Sequence, residues 1–294
     1  MRGAKPERAL ESAVERSNVF RPGERVLVAC SGGSDSVALA SIAAALTRPL
    51  KLRLTIGHVN HATRPSAWQD EAVVLRVGAA LGLPVKVAAL PALAGEAALR
   101  DARYEQLGRL ASDAGCSAIA TGHQAEDQTE TVLLALFRGT GLEGLAGMPA
   151  RRAFTPGVDV IRPLLRHERS ALQTHVHEAH LPYAVDPTNA DRRFRRNTVR
   201  AALAALRPSF PGLDGAVARA AGLVSDELDG TDASALRQVV RAALGQEDTL
   251  RDVDFGHVEE AVRALQSGRS GRFFMKAGVE LTIERGTLTV RREA

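Results

Sequence analysis

The strongest constraint on this chain is a change of hydrophobic period around residue 30. Arg25-Val26-Leu27-Val28-Ala29-Cys30 reads as a buried strand, and Val37 to Leu46 has a helical pattern. Between them stands Ser31-Gly32-Gly33-Ser34-Asp35-Ser36. Two adjacent glycines let the backbone approach a ligand, while the helix start offers unpaired N–H groups and the positive end of its dipole. Ser31, Ser34 and Ser36 add hydroxyls, so Ser31 to Ser36 is a candidate phosphate cradle. Asp35 cannot favour a bare phosphate. Its expected role is to hold a Mg²⁺ that bridges phosphates. The competing reading is a plain strand-to-helix turn with Asp and Ser as caps. No Walker-type Gly-x-x-x-x-Gly-Lys-Ser/Thr run is present.

The alternation continues. Strand patterns at Lys51–Val59, Pro84–Leu90 and Ser117–Thr121 are interleaved with helical patterns at Gln69–Leu81, Gly95–Ala114 and Ala125–Phe137. Such a series predicts an α/β fold with a parallel sheet, helices on both faces and ligands at the carboxyl ends of the strands. Residues 138–166 are richer in Gly and Pro and read as a loop with one short strand. Helix returns over His167–His180, Pro182–Asn189 reads as a connector, and Asn197–Leu206 is again helical. Pro208, Pro211 and Gly212 suggest a boundary. The expected organisation is a catalytic domain over 1–212 and a small, mainly helical domain over 213–294. The latter has helical patterns at Ala216–Leu228, Ala233–Leu244 and Asp254–Leu265 and ends in strands across Arg272–Val290.

Charge is unevenly placed. The whole chain is only +4, yet residues 151–212 carry 11 basic residues against 5 acidic, and all 11 are Arg. A basic stripe suits a polyanion, although Arg bias also follows from genomic base composition. Two distant cysteines, Cys30 and Cys116, form no zinc cluster and suit a reducing cytoplasm. No apolar run is long enough to span a membrane, and the charged start lacks the apolar core of a signal peptide.

A second cluster opens the helix after the fourth strand: His123, Asp127, Glu130 and Thr131, with the last three on one face. Acidic residues there would also be favoured by the dipole alone. The phosphate-loop motif resembles that of the N-type ATP pyrophosphatases. His123-x-x-x-Asp127-Gln128-x-Glu130-Thr131, with Arg138-Gly139, further resembles the tRNA(Ile)-lysidine synthetases. So do His58-Val59-Asn60-His61 with Arg64 and Ser66, Arg103-Tyr104, Arg162-Pro163-Leu164-Leu165, and Asp186-Pro187-Thr188-Asn189 followed by Arg196-Asn197 and Arg200. The likeness spans roughly residues 20–210. Gln124, Glu126 and Ala62-Thr63 depart from the family's usual residues, and the tail leaves room for one short domain only.

The resemblance implies that ATP adenylates the 2-carbonyl of a wobble cytidine in the anticodon loop of tRNA(Ile), after which free L-lysine displaces AMP. On that basis Asp35, Arg103, His123, Asp127, Glu130 and Arg196 are the catalytic candidates. His58 joins the phosphate loop at the nucleotide, and Asp127 and Glu130 receive the lysine ammonium, one of them as base. Arg192, Arg193, Arg195, Arg196, Asn197 and Arg200 would face tRNA, with the tail as an accessory grip. A homodimer is compatible with all of this. The alternatives are a thiolase with the same loop, a small-molecule amide synthetase, and a nucleotide- or tRNA-binding module without catalysis. The thiolase reading is disfavoured because the chain lacks paired cysteines.

Overall fold

The structure is a computed structural model describing residues 6–60, 67–90, 96–184, 195–228, 240, 255–274, 279–284 and 287–292. β1 (Arg25–Ala29) is central because it is apolar on both sides. Val26 and Val28 enter one core and Leu27 the other, as expected for a strand covered by helices on both faces. β2 (Arg53–Asn60), β3 (Val85–Ala89), β4 (Ala118–Ala120), β5 (Arg151–Thr155) and β6 (Val158–Ile161) complete a six-stranded sheet, ordered β3-β2-β1-β4-β6-β5. All pairings are parallel except the β5–β6 hairpin.

The first core is covered by α1 (Pro6–Arg16), α2 (Ser34–Leu46), α3 (Ala67–Leu81) and α7 (Arg169–Glu178), and the second by α4 (Glu96–Asp113). α2 buries eight of the eleven residues from Ser36 to Leu46, because α1, α3 and α7 flank it. α5 (Ala125–Leu136) follows β4, with α6 (Leu142–Leu145) after it. Chain order reverses at β1, whose neighbours are β2 on one side and β4 on the other. Such a switch point is where folds of this kind hold ligands, in the crevice at the strands' carboxyl ends.

Residues 138–166 hold more structure than one short strand: α6 and a full hairpin. β6 buries Val158, Val160 and Ile161, whereas β5 is an edge strand with exposed Arg152 and Ala153. Its apolar period is consequently weak. α8 (Arg195–Leu206) and α9 (Leu213–Leu228) follow.

The chain divides into two compact units, Met1–Ala221 and Gly222–Ala294, and the turn at Pro211–Gly212 falls within the first. The second contains α10 (Phe255–Gln266) and the antiparallel sheet β7 (Gly271–Phe274), β8 (Val279–Glu284) and β9 (Thr287–Arg292). Val240, Val258, Val262, Leu281 and Ile283 form its own core. The expected helix at Ala233–Leu244 lies outside the described residues, apart from Val240. No described helix is long and apolar enough to cross a membrane.

Candidate active site

The loop after β1 is shaped by its own atoms before any ligand arrives. Ser36 Oγ accepts from the Ser31 N–H at 3.1 Å and donates to the Gly33 carbonyl at 2.9 Å. Its hydroxyl thus organises the loop. No side chain among the described residues caps α2, and the helix start faces the crevice with the positive end of its dipole. Gly32 has φ +92°, and an added Cβ would stand 3.2 Å from the Asp70 carbonyl oxygen. Only glycine suits that turn. Across the crevice, a Cβ on Gly122 would lie 3.2 Å from the backbone of Asp35, so the β4 exit and the α2 start touch without side chains between them.

A cavity of about 470 Å³ occupies this crevice. It is lined by Ser31, Gly33, Ser34, Asp35 and Ser36 from the first loop and by His123 and Asp127 after β4. Arg103 and Tyr104 of α4 and Arg169 and Gln173 of α7 also line it. The site thus unites the phosphate loop with His123, Asp127 and Arg103.

Other expected residues stand elsewhere. His58 is buried in β2, and its Nδ1–H donates to the Cys30 carbonyl at 2.8 Å. It braces the end of β1 behind the loop and is not among the cavity's lining residues. Glu130, expected beside Asp127 to receive a cation, is 1% exposed. It accepts from Arg196 Nε at 2.7 Å and from Arg200 Nε at 2.7 Å. Arg196 also reaches Asp127 Oδ1 at 3.1 Å. The two arginines expected on RNA therefore clasp α8 to α5. Asn197 is in α8. Arg192 and Arg193 lie outside the described residues, as does the Arg195 side chain. The segments holding His61, Arg64 and Ser66 and Asp186–Asn189 lie outside them too.

The departures at Gln124 and Glu126 have local reasons. Gln124, fully buried, accepts from the Glu126 N–H at 2.6 Å, while Asp127 Oδ2 accepts from the Gln124 N–H at 3.3 Å. Together they form a capping box that starts α5. Glu126 accepts from the Arg169 N–H at 3.0 Å and so fixes the start of α7.

Electrostatics push Asp35 and His123 in opposite directions, and both toward their neutral forms. Burial raises the Asp35 pKa, opposed by the Arg169 guanidinium and reinforced by the like charge of Asp127. Arg169 Nε stands 3.4 Å from Asp35 Oδ2. His123 is driven down to about 3 by burial and then by Arg162, Arg100, Arg196 and Arg103. Its Nδ1 lies 2.8 Å from Thr121 Oγ1. Near neutral pH it is an uncharged imidazole.

Sequence reasoning missed Arg169, Gln173 and Tyr183. Arg169 and Gln173 lie on a helix with no motif. Tyr183 is carried by the connector, where Ala184 forms a parallel bridge with Gly33 and donates its N–H to the Gly32 carbonyl at 2.8 Å.

This crevice defines an ATP-binding class, and the PP-loop domain family matches residues 5–206. A tRNA(Ile)-lysidine synthase of Salinispora tropica is 37% identical over 92% of this chain and 80% of its own length. That of Salinispora arenicola is 36% identical over 98% and 86%. The chain belongs to the tRNA(Ile)-lysidine synthase family. The U34-tRNA thiolase NcsA of Methanococcus maripaludis has the same fold at TM-score 0.63 and 17% identity, over 74% of this chain and 79% of that one.

Proposed function

We propose that this chain makes lysidine, using ATP to join free L-lysine to the 2-position of the wobble cytidine in a tRNA(Ile) with a CAU anticodon. One observation carries the reading: a single cavity brings a phosphate loop together with an acidic side chain and a neutral imidazole. In the first half-reaction the cytidine O2 attacks the α-phosphorus and pyrophosphate leaves. In the second, the ε-amine attacks C2 and the C–O bond breaks, releasing AMP. Each half needs charge held at a fixed place, the term that dominates such transfers.

The α2 start and the Gly32–Gly33 backbone bind the phosphates, with Ser34 beside them. Arg169 and Arg103 add positive charge at opposite walls. Neutral His123 orients the nucleotide by a hydrogen bond. Asp127 faces the lysine ammonium and takes the proton that the amine must lose. Glu130 acts one step back, holding Arg196 and Arg200. Asp35, a hard oxygen donor lining the cavity beside the phosphate loop, would hold a Mg²⁺ there. When bound there it supplies neutralisation of the charge that builds on the leaving pyrophosphate. Residues 1–212 are read as the catalytic part, with Arg192, Arg193 and Arg195 and the 213–294 part as further contacts to tRNA.

The thiolase reading is weaker because the chain has two cysteines, Cys30 and Cys116, buried in different cores. The test is incubation with ATP, labelled lysine and tRNA(Ile) bearing CAU. Label should enter the wobble nucleotide and vanish when uridine replaces that cytidine. Asp127→Asn should lower incorporation roughly a hundredfold; wild-type turnover in that variant would remove Asp127 from its role.

A further inference from the structure

A second cavity, about 600 Å³, lies beside the first between α4 and the β5–β6 hairpin. It is lined by Arg100, Asp101, Tyr104, Glu105, Gly108, Arg109, Arg152 and Phe154, among others. Tyr104 lines both cavities, so one aromatic side chain is the partition between them.

Positive charge gathers around this ring. The Arg100 guanidinium carbon stands 5.6 Å from the Tyr104 centroid and that of Arg103 stands 5.8 Å from it. Arg162 is 4% exposed, and one nitrogen donates to the Pro149 carbonyl at 2.7 Å. Its Nε has no hydrogen-bond partner among the described residues. No described carboxylate forms an ion pair with Arg100, Arg103, Arg152 or Arg162. Of the two acids among the described lining residues, Glu105 is paired with Arg109 at 2.6 Å and Asp101 remains, one carboxylate beside Arg100 and Arg152. Burial lowers the Arg103 and Arg162 pKa values; Tyr104 opposes this at both, while Arg100 on both and Arg152 on Arg162 reinforce it. Arg100 and Arg152 line this cavity with no ion pair among the described residues and form a site for an anion, with Arg103 in the wall of the inner cavity and Arg162 buried nearby adding positive charge.

The cavity has aromatic walls as well. Tyr104 and Phe154 lie 5.7 Å apart with rings tilted by 52°. Gly108 leaves room for Phe154, since a Cβ there would meet the ring edge at 3.1 Å. Arginines interleaved with aromatic faces are how single-stranded nucleic acids are held: phosphates on the cations, bases on the rings.

We propose that this outer groove binds the nucleotide adjoining the target cytidine, its base against Phe154 and the intervening phosphodiester on Arg100 and Arg152. The strand then passes Tyr104 as the target base enters the inner cavity. The inference rests on the reading that the substrate base belongs to an RNA loop.

Arg100 and Arg152 are exposed and outside the catalytic machinery, so Arg100→Ala and Arg152→Ala should fold normally. In the full-length protein, each should weaken binding of the anticodon stem-loop roughly five- to tenfold. Each should also reduce the slope of log affinity against log salt by about one. KM values for ATP and lysine should not change. A synthetic stem-loop with a neutral methylphosphonate beside the target cytidine should lose the same affinity with the wild-type protein, and lose no more with the double variant. Additive losses, or unchanged RNA affinity in the variants, overturn the proposal. A raised KM for lysine with RNA binding intact would overturn it too, assigning the arginines to the lysine carboxylate. These binding readouts do not depend on lysine transfer. Wild-type protein that bound the stem-loop but incorporated no lysine would sink the reaction while leaving the groove standing.

Discussion

His123 is the residue whose chemistry the sequence least announced. The motif marks it as a catalytic candidate without assigning it a role, and an unperturbed histidine titrates near neutrality. Burial and four surrounding guanidiniums instead hold it neutral down to about pH 3. The unfolded imidazole takes its proton near 6.5, so between 6.5 and 3 the unfolded chain binds the extra proton. Stability therefore falls as pH drops through that window, and this contribution is constant above it. Denaturant unfolding at a series of pH values should show His123→Asn losing less stability than wild type between pH 6 and 4. A ring signal titrating near 6.5 in the folded protein would contradict the assignment. Histidine charge is then absent from the site at working pH, and cationic help falls to Arg103 and Arg169.

The pairing of α5 with α8 shows what a sequence conveys and what it withholds. Asp127 and Glu130 share a helix face by spacing alone, as do Arg196 and Arg200. That the two faces meet was not readable, because the partners lie some 70 positions apart and either set alone looks like a substrate surface. The period-2 and period-3.6 runs, by contrast, placed β1 to β4 and α2 to α5 nearly in full, including the edge strand β3, which buries no residue but keeps Val85 and Val87 in alternation. β5 escaped notice because an edge strand with Arg151 and Arg152 has no such alternation. Glu130→Gln should destabilise the protein by about 1–3 kcal/mol, the cost of weakening buried charge-assisted bonds. It should free α8 from α5, seen as faster amide exchange in both helices. A variant as stable as wild type would show that the clasp contributes little.

At the scale of the whole molecule, the arginine surplus of 151–212 acquires two uses. Arg151 meets Glu24 at 2.9 Å and Asp159 at 2.7 Å. Arg169, Arg196, Arg200 and Arg207 likewise meet carboxylates. These cations hold the first unit together, while Arg152 and Arg162, with no ion pair among the described residues, stand near Tyr104. Charge counting saw the excess but could not divide it into pairs and remainder. The second unit has a core of its own, so Leu281→Ala, at a fully buried position, should cost about 2–5 kcal/mol within it. Calorimetry should show that loss in one of two transitions, with nucleotide binding by the first unit retained. A single transition shifting as a whole would refute separate cores.

The bridge between Gly33 and Ala184 has a bearing on synthesis. The nucleotide cradle is encoded near the start of the chain but is tied down by a segment that leaves the ribosome only after the whole sheet has been made. So distant a contact closes late in folding, after the local helices and hairpin. Nascent chains shorter than that segment carry the phosphate motif without its brace. The growing polypeptide thus acquires a finished ATP site only when the elements that use ATP are already in place.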